Sequence, residues 1–249
     1  MFLALALLAA GADPAPLIEA ERAFARASVE NGIMVAFLEH LAEKAIVFRP
    51  QPVDGRKFYA EKGPSDNVLS WGPAFAEIAA SGDFGYTGGP WELRLKPGEE
   101  PKTFGHYLSV WKKQADGKWR AVADAGVSHP QRVPVPARVA LPPHRGQSRE
   151  NAISAELLYF DNDYSPEHLA DDVRVYREGA PPAQGKAVIV NEPRVQSKTG
   201  GTDISASGDL GYTYGIAEAA GGKVSSYLRI WRRMSGKWRV VVDLALEIQ

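Results

Sequence analysis

The stretch SGDFGYT at residues 81–87 returns as SGDLGYT at residues 207–213. Three further strings return in the same order: HLA at 40–42 as HLA at 168–170, YLSVWKK at 107–113 as YLRIWRR at 227–233, and GKWR at 117–120 as GKWR at 236–239. Their spacing drifts by a few residues, as it does when loops change length between duplicated domains. This internal similarity indicates two copies of one folding unit.

The order of predicted elements in the first copy favours an α+β fold. Apolar residues at helical spacing predict helices over 17–30 and 32–42, and turn signals bound a short helix over 55–61. Runs of strand-forming residues between turn signals predict these strands: 45–48, 74–80, 84–95, 103–114 and 118–127. Helices that precede a meander of long strands are typical of α+β proteins.

The last strand of the second copy alternates clearly in polarity. We expect one face, covered by helices, to carry five apolar residues: Trp238, Val240, Val242, Leu244 and Leu246. In the preceding strand the same alternation places Leu228 with Ile230 and Tyr227 with Arg229.

The boundary between the copies is rich in proline. Four prolines lie in this stretch: Pro134, Pro136, Pro142 and Pro143. Such a composition favours an extended spacer, and 249 residues accommodate two domains of ordinary size. We therefore expect a first domain over 13–130, a linker over 131–148 and a second domain over 149–249. The first helix of the second domain falls partly in the linker and is expected to be shortened.

The first ten residues, MFLALALLAA, form an apolar run that is too short to cross a bilayer as a helix. Ala10, Gly11 and Ala12 then supply the small-x-small pattern that signal peptidase cleaves. No basic residue precedes the run, so a start further upstream and a buried N-terminal helix stay open as alternatives. We expect a signal peptide over 1–12, a periplasmic or secreted protein, and no stable membrane insertion after cleavage.

Composition excludes several classes of function. Lys and Arg total 29 against 30 for Asp and Glu, so no basic surface is expected for nucleic acid. The chain has no cysteine, which excludes disulfides, thiolate metal sites and a cysteine nucleophile. Its five histidines are not spaced as metal ligands, so no metal is expected. The turn at 81–83 precedes a strand rather than a helix, so it is no phosphate loop, and no cofactor is expected.

Two segments carry a resemblance to a known family. The string YLSVWKKQADGKW at 107–119, followed by RAVAD at 120–124, resembles the last two strands of the DUF4440 branch of the nuclear-transport-factor-2-like (NTF2-like, SnoaL-like) superfamily. FRPQPVDG at 48–55 is similar to the strand-to-helix segment of that branch. The resemblance covers nearly the whole chain, twice. It implies two tandem cone domains, each with N-terminal helices packed on a curved, mainly antiparallel sheet around a conical pocket.

The resemblance has two further implications. The two domains are expected to pack through their sheets as an intramolecular pseudo-dimer, in place of the homodimer common in the superfamily. Isomerases, cyclases, dehydratases and binding modules share the scaffold, so the fold does not determine the function.

Four residues of the first copy are candidate ligand contacts: Trp71, Trp91, His106 and Asp124. The two tryptophans have no evident counterpart in the second copy, although core packing would also explain them. Alternation places His106 on the face of Leu108, but a histidine satisfied by a neighbouring polar group is an alternative. Asp124 returns in the second copy, which favours a structural hydrogen-bonding role beside a functional one.

These observations leave three hypotheses open. The first is an exported module that binds a small, partly apolar ligand in the pocket of the first copy, which we expect to be the better formed of the two. The second is an isomerase-like or cyclase-like enzyme that uses His106 or Asp124 as general base. The third is a structural or protein-interaction module with large aromatic residues exposed on its sheets.

Overall fold

The computed structural model describes residues 12–142, 146–192 and 195–248. The predicted signal peptide, apart from Ala12, lies outside these ranges. Among the helices described, none is both long enough and apolar enough to cross a membrane.

The first copy begins with two helices and continues into a sheet. Its elements are α1 (Ala15–Asn31), α2 (Ile33–His40), β1 (Leu41–Phe48), β2 (Pro52–Asp54), α3 (Gly55–Lys62), β3 (Val68–Trp71), β4 (Phe75–Ile78), β5 (Phe84–Arg94), β6 (Thr103–Lys113) and β7 (Trp119–Ser128). Gly32 separates α1 from α2 with a φ of 87°, a conformation that glycine adopts without strain. Asp54 caps α3, because its side chain accepts a hydrogen bond from the Lys57 backbone N–H at 2.9 Å.

The strands of the first copy form one mixed sheet in the order β2-β1-β7-β6-β5-β3, with β4 also paired to β5. β1 runs parallel to β7, and the other pairs are antiparallel. The helices pack on one face of this sheet, where α1 and α2 share a hydrophobic core with β1 and β6.

The second copy repeats this architecture with a reduced helical layer. Its elements are α4 (Ala155–Asn162), a short 3-10 turn (Pro166–His168), β8 (Leu169–Arg177), β9 (Ala183–Gln184), α5 (Ala187–Val190), β10 (Val195–Ile204), β11 (Leu210–Ala219), β12 (Val224–Met234) and β13 (Lys237–Ile248). The sheet order is β10-β11-β12-β13-β8-β9, again with one parallel pair, β13 with β8. The α+β class, with helices on a mainly antiparallel sheet in each copy, is confirmed. Helix α4 has 8 residues where α1 has 17.

The last strand of each copy contains a register shift. On β13, Val240 pairs with Trp231 and Val242 pairs with Ile230, so Val241 is the additional residue of a bulge. The expectation of one apolar face on this strand is therefore wrong. Trp238 and Val240 pack towards the helices of their own copy, whereas the next residues lie in a core shared by both copies: Val242, Leu244 and Leu246.

The faces of the two sheets that lack helices contact each other. Their shared core joins Leu108 and Val110 of the first copy with Leu228 and Ile230 of the second. A buried ion pair between Arg232 of the second copy and Glu77 of the first crosses the same contact. Arg232 donates from Nε to Glu77 Oε1 at 2.7 Å and from Nη2 to Oε2 at 2.5 Å. Tyr86 donates to the same Oε2 at 2.6 Å.

Candidate functional site

A cavity of about 260 Å³ lies between the helices and the sheet of the first copy. It is lined by apolar and aromatic side chains together with a few polar ones: Ile33, Phe37, Arg49, Tyr59, Lys62, Asn67, Leu69, Trp71, Trp91, Leu93, Tyr107, Asp124, Ala125 and Gly126. We call it the first-copy cavity. A mostly apolar wall with a few polar groups is the usual composition of a small-molecule site.

The pairing of β3 with β5 brings together the two tryptophans that the sequence predicts as ligand contacts. Trp71 and Trp91 are directly opposite each other in this antiparallel pair, and both line the first-copy cavity. Gly105 provides room for Trp91, because a Cβ on this glycine would lie 2.5 Å from the indole ring. The backbone register thus explains why the two rings share the cavity wall.

Asp124 also lines this cavity, on β7. Its Oδ2 accepts a hydrogen bond from Ser109 Oγ at 2.8 Å, and Ser109 is the one side chain among the described residues that hydrogen-bonds it. Burial raises the pKa of Asp124 to about 6, although the Arg49 guanidinium and the Ser109 hydrogen bond oppose the shift.

His106 does not line the first-copy cavity, so its predicted place beside Trp71 and Trp91 is wrong. It lies on the other face of the sheet, where its Nδ1 is 2.8 Å from His129 Nε2 and its ring centroid is 6.1 Å from that of Tyr176 in the second copy. Alternation grouped His106 correctly with Leu108. The face it identified, however, packs against the second sheet rather than around the cavity.

Glu21 is an acid buried behind the cavity wall, and it is not among the residues that the sequence predicts for the site. Its Oε1 accepts a hydrogen bond from Trp71 Nε1 at 2.5 Å, and its Oε2 accepts bonds from Trp111 Nε1 at 3.0 Å and from the Thr87 hydroxyl. Burial raises the pKa of Glu21 to about 7 against the effect of these hydrogen bonds, with a further contribution from Asp124.

A sequence signal for Glu21 does exist. Leu17, Glu21 and Phe24 follow the i, i+4, i+7 spacing of one helix face, and all three are buried. A carboxyl group on the apolar face of an amphipathic helix needs hydrogen-bond partners from elsewhere in the chain.

Tyr107 lies close to both acids. Burial raises the pKa of its hydroxyl well above the ordinary value, and the charges of Glu21 and Asp124 contribute to the rise. The hydroxyl is buried and makes no hydrogen bond of normal geometry among the described residues, although the nearby Thr87 side chain opposes the rise of its pKa.

The second copy contains a larger cavity, of about 510 Å³, in the corresponding place. In terms of volume, this contradicts the expectation that the first copy has the better-formed pocket. Its acids are paired with arginines. Arg229 contacts Asp161 at 2.8 Å and Asp243 at 3.1 Å, and Arg177 contacts Asp243 at 2.7 Å. Burial by itself opposes ionisation, but the two arginines lower the pKa of Asp243 to about 2.

Metal ligands are not assembled in either copy: within the ranges 12–142, 146–192 and 195–248, no group of three or more histidine, aspartate or glutamate residues is placed to hold an ion.

Comparisons with known proteins give structural likenesses only. No protein-family model matches the chain, and no curated protein matches it either. One similar solved structure is a protein of unknown function with a cystatin-like fold from Nostoc punctiforme, at 13% identity over 47% of this chain and 92% of that chain, with a TM-score of 0.38. Another is an NTF2-like protein with a cystatin-like fold from Novosphingobium aromaticivorans, at 18% identity over 46% of this chain and 80% of that chain, with a TM-score of 0.38. A conserved protein from Planctomyces limnophilus matches at 16% identity over 47% and 97% of the two chains, with a TM-score of 0.38.

Proposed function

We propose that the first copy binds a small, partly apolar molecule in its cavity, with Asp124 as the principal polar contact. The observation that carries this proposal is the arrangement of Asp124, Trp71 and Trp91 around one cavity whose acid has no cationic partner within ion-pair distance among the described residues. In this proposal the protein is a tandem member of the DUF4440 branch of the NTF2-like superfamily, and its two copies act as an intramolecular pseudo-dimer. Sequence strings at 107–124 and 48–55 support the branch assignment.

A thermal-shift screen of small aromatic and alicyclic metabolites tests this proposal. A compound present at about 100 times its Kd stabilises the folded protein by roughly 2.7 kcal/mol. Asp124→Asn should weaken the binding of such a compound by about 5- to 100-fold, because the hydrogen bond or charge at the cavity wall is changed.

Asp66→Asn is the matched control, since Asp66 is exposed and does not line the cavity. It should leave binding unchanged. Equal affinity of the wild-type protein and Asp124→Asn for every stabilising compound would contradict the proposal.

A second candidate is an isomerase-like or cyclase-like enzyme with Asp124 as general base. Two buried acids with pKa values of about 6 and 7 favour it, because acid-base catalysis near neutrality requires such values. His106 lies outside the cavity, which leaves Asp124 as the base that faces a ligand. Incorporation of solvent deuterium into a bound carbonyl compound, followed by NMR, distinguishes the two candidates. The enzyme hypothesis requires exchange with the wild-type protein and its loss in Asp124→Asn.

A further inference from the structure

The duplication allows the two cavities to be compared position by position. Val47 pairs with Asp124 in the first copy, and Val175 pairs with the equivalent Asp243 in the second, so Arg49 corresponds to Arg177. After a two-residue difference in the following loop, Gly55 corresponds to Gly185, and Lys62 then falls at the position of Glu192. The structure agrees with this alignment, because the paired positions line their own cavities: Arg49, Tyr59 and Lys62 in the first, and Arg177, Ile189 and Glu192 in the second.

In the second copy the chain itself supplies a carboxylate to the arginine. Arg177 donates from Nε to Glu192 Oε1 at 2.9 Å and from Nη2 to Oε2 at 2.8 Å, a two-bond fork. The same guanidinium contacts Asp243 at 2.7 Å. One arginine therefore accommodates two carboxylates at the wall of the second cavity.

In the first copy the position of that carboxylate is occupied by a lysine. Arg49 donates to the Tyr59 hydroxyl and, at 2.5 Å, to the Phe48 carbonyl oxygen, and its guanidinium lies 5.3 Å from the Phe58 ring centroid. Lys62 Nζ lies 5.8 Å from the same centroid. No salt bridge within 4.0 Å joins either cation to a carboxylate in the part of the chain that the structure describes.

We propose that the ligand of the first copy is a small aromatic carboxylate, whose anionic group binds Arg49 and Lys62 where the second copy places its own Glu192 carboxylate. The ring then lies against Trp71 and Trp91. This inference rests on the proposed binding function and specifies the chemical class of the ligand. Asp124 is compatible with an anion nearby, because Arg177 holds both Asp243 and Glu192 in the second copy.

The test uses 2-naphthoate and its neutral isostere 2-naphthamide as probes, with affinities measured by ligand-observed NMR on the full-length protein. The wild-type protein should bind the carboxylate about 5-fold or more tightly than the amide, as an ion pair at a partly exposed site predicts. Lys62→Glu should weaken carboxylate binding by about 10-fold and change amide binding by less than about 2-fold.

Lys57→Glu is the matched control, because Lys57 is exposed on the same helix α3 and does not line the cavity. It should leave both affinities unchanged, which separates a local contact from a change in net charge. If Lys62→Glu fails to fold, Lys62→Gln replaces it, with an expected loss of about 3-fold for the carboxylate alone.

The outcomes separate the two proposals. Equal binding of carboxylate and amide, or equal effects of Lys62→Glu and Lys57→Glu, would overturn the anion assignment while leaving a binding cavity in place. Binding of only uncharged compounds from the thermal-shift screen would do the same. If no probe and no screened compound binds, both proposals are wrong. If 2-naphthoate binds in a manner that depends on Lys62 but not on Asp124, the anion assignment is supported and Asp124 is not the principal polar contact.

Discussion

In the second copy Arg229 reaches between Asp161 and Asp243, whereas the equivalent position of the first copy holds Ser109. The second copy thus buries its acids as ion pairs. The first copy buries Glu21 and Asp124 with hydrogen bonds from neutral groups, and burial raises the pKa of both. The exchange of Ser109 for Arg229, together with the contact of Arg177 with Asp243, separates the paired ionic network of the second copy from the two acids of the first, whose pKa values are raised.

The partners of these acids are otherwise similar. In the first copy Thr87 and Trp111 donate hydrogen bonds to Glu21. In the second copy Thr213 donates to Asp161 at 2.9 Å, and Trp231 donates to Thr213 at 2.8 Å. The framework therefore retains a buried acid in both copies. What differs is the pairing of the acids: Asp161 and Asp243 form ion pairs with arginines of the second copy, whereas no ion pair within 4.0 Å involves Glu21 or Asp124 among the described residues.

Removing the paired arginine should have the largest effect. Arg229→Met leaves two buried carboxylates with less compensation, and we expect it to lower the free energy of unfolding by about 3 to 5 kcal/mol. Urea denaturation at pH 7 measures this. Ser109→Ala is the matched change in the first copy, and it should cost only about 1 kcal/mol because one hydrogen bond is lost. Similar losses for the two variants would show that the copies do not differ in the way described.

The pH dependence of stability should change when Glu21 is replaced. Burial raises the pKa of Glu21 from 4.5 to about 7, so the folded state holds the proton more tightly than the unfolded state. Its contribution to stability is then lost as the pH rises from about 4.5 to about 7. Glu21→Gln cannot ionise, so its stability relative to the wild-type protein should increase by about 1 to 3 kcal/mol between pH 4.5 and pH 8.

Chemical denaturation at the two pH values measures this difference. Glu30→Gln on the same helix serves as the control, because Glu30 is exposed. It should leave the pH profile of the wild-type protein intact. A Glu21→Gln profile that runs parallel to the wild-type profile would mean that Glu21 is ionised in the folded protein at neutral pH.

The sequence predicted the repeat and the α+β class, because repeated strings and the order of elements are local signals. It singled out Trp71 and Trp91 because the second copy lacks counterparts, but only the pairing of β3 with β5 shows that they share a cavity wall with Asp124. It misplaced His106, since alternation tells which residues share a face but not whether helices or a second sheet cover that face. The bulge at Val241 was also not visible, because an additional residue in a strand leaves the apolar composition unchanged.

Glu21 was missed for a related reason. Its partners Trp71, Thr87 and Trp111 lie 50, 66 and 90 positions away, so only the folded chain brings them to the carboxyl group. A comparison of the two copies does show one relevant difference in the sequence, because Ser109 of the first repeated string is replaced by Arg229 in the second. The effect of this exchange becomes clear only in the folded chain, where Arg229 contacts Asp161 and Asp243.

An NMR titration of the side-chain carboxyl carbons compares the two copies most directly, and it requires no ligand. Asp124 and Asp243 occupy equivalent positions, so each is the internal control of the other. We predict that Asp124 titrates with a midpoint near pH 6, while Asp243 stays ionised down to about pH 2 because Arg177 and Arg229 oppose the effect of burial. If both aspartates titrate together near the ordinary pKa of about 4, the two copies do not differ in how their buried acids are neutralised.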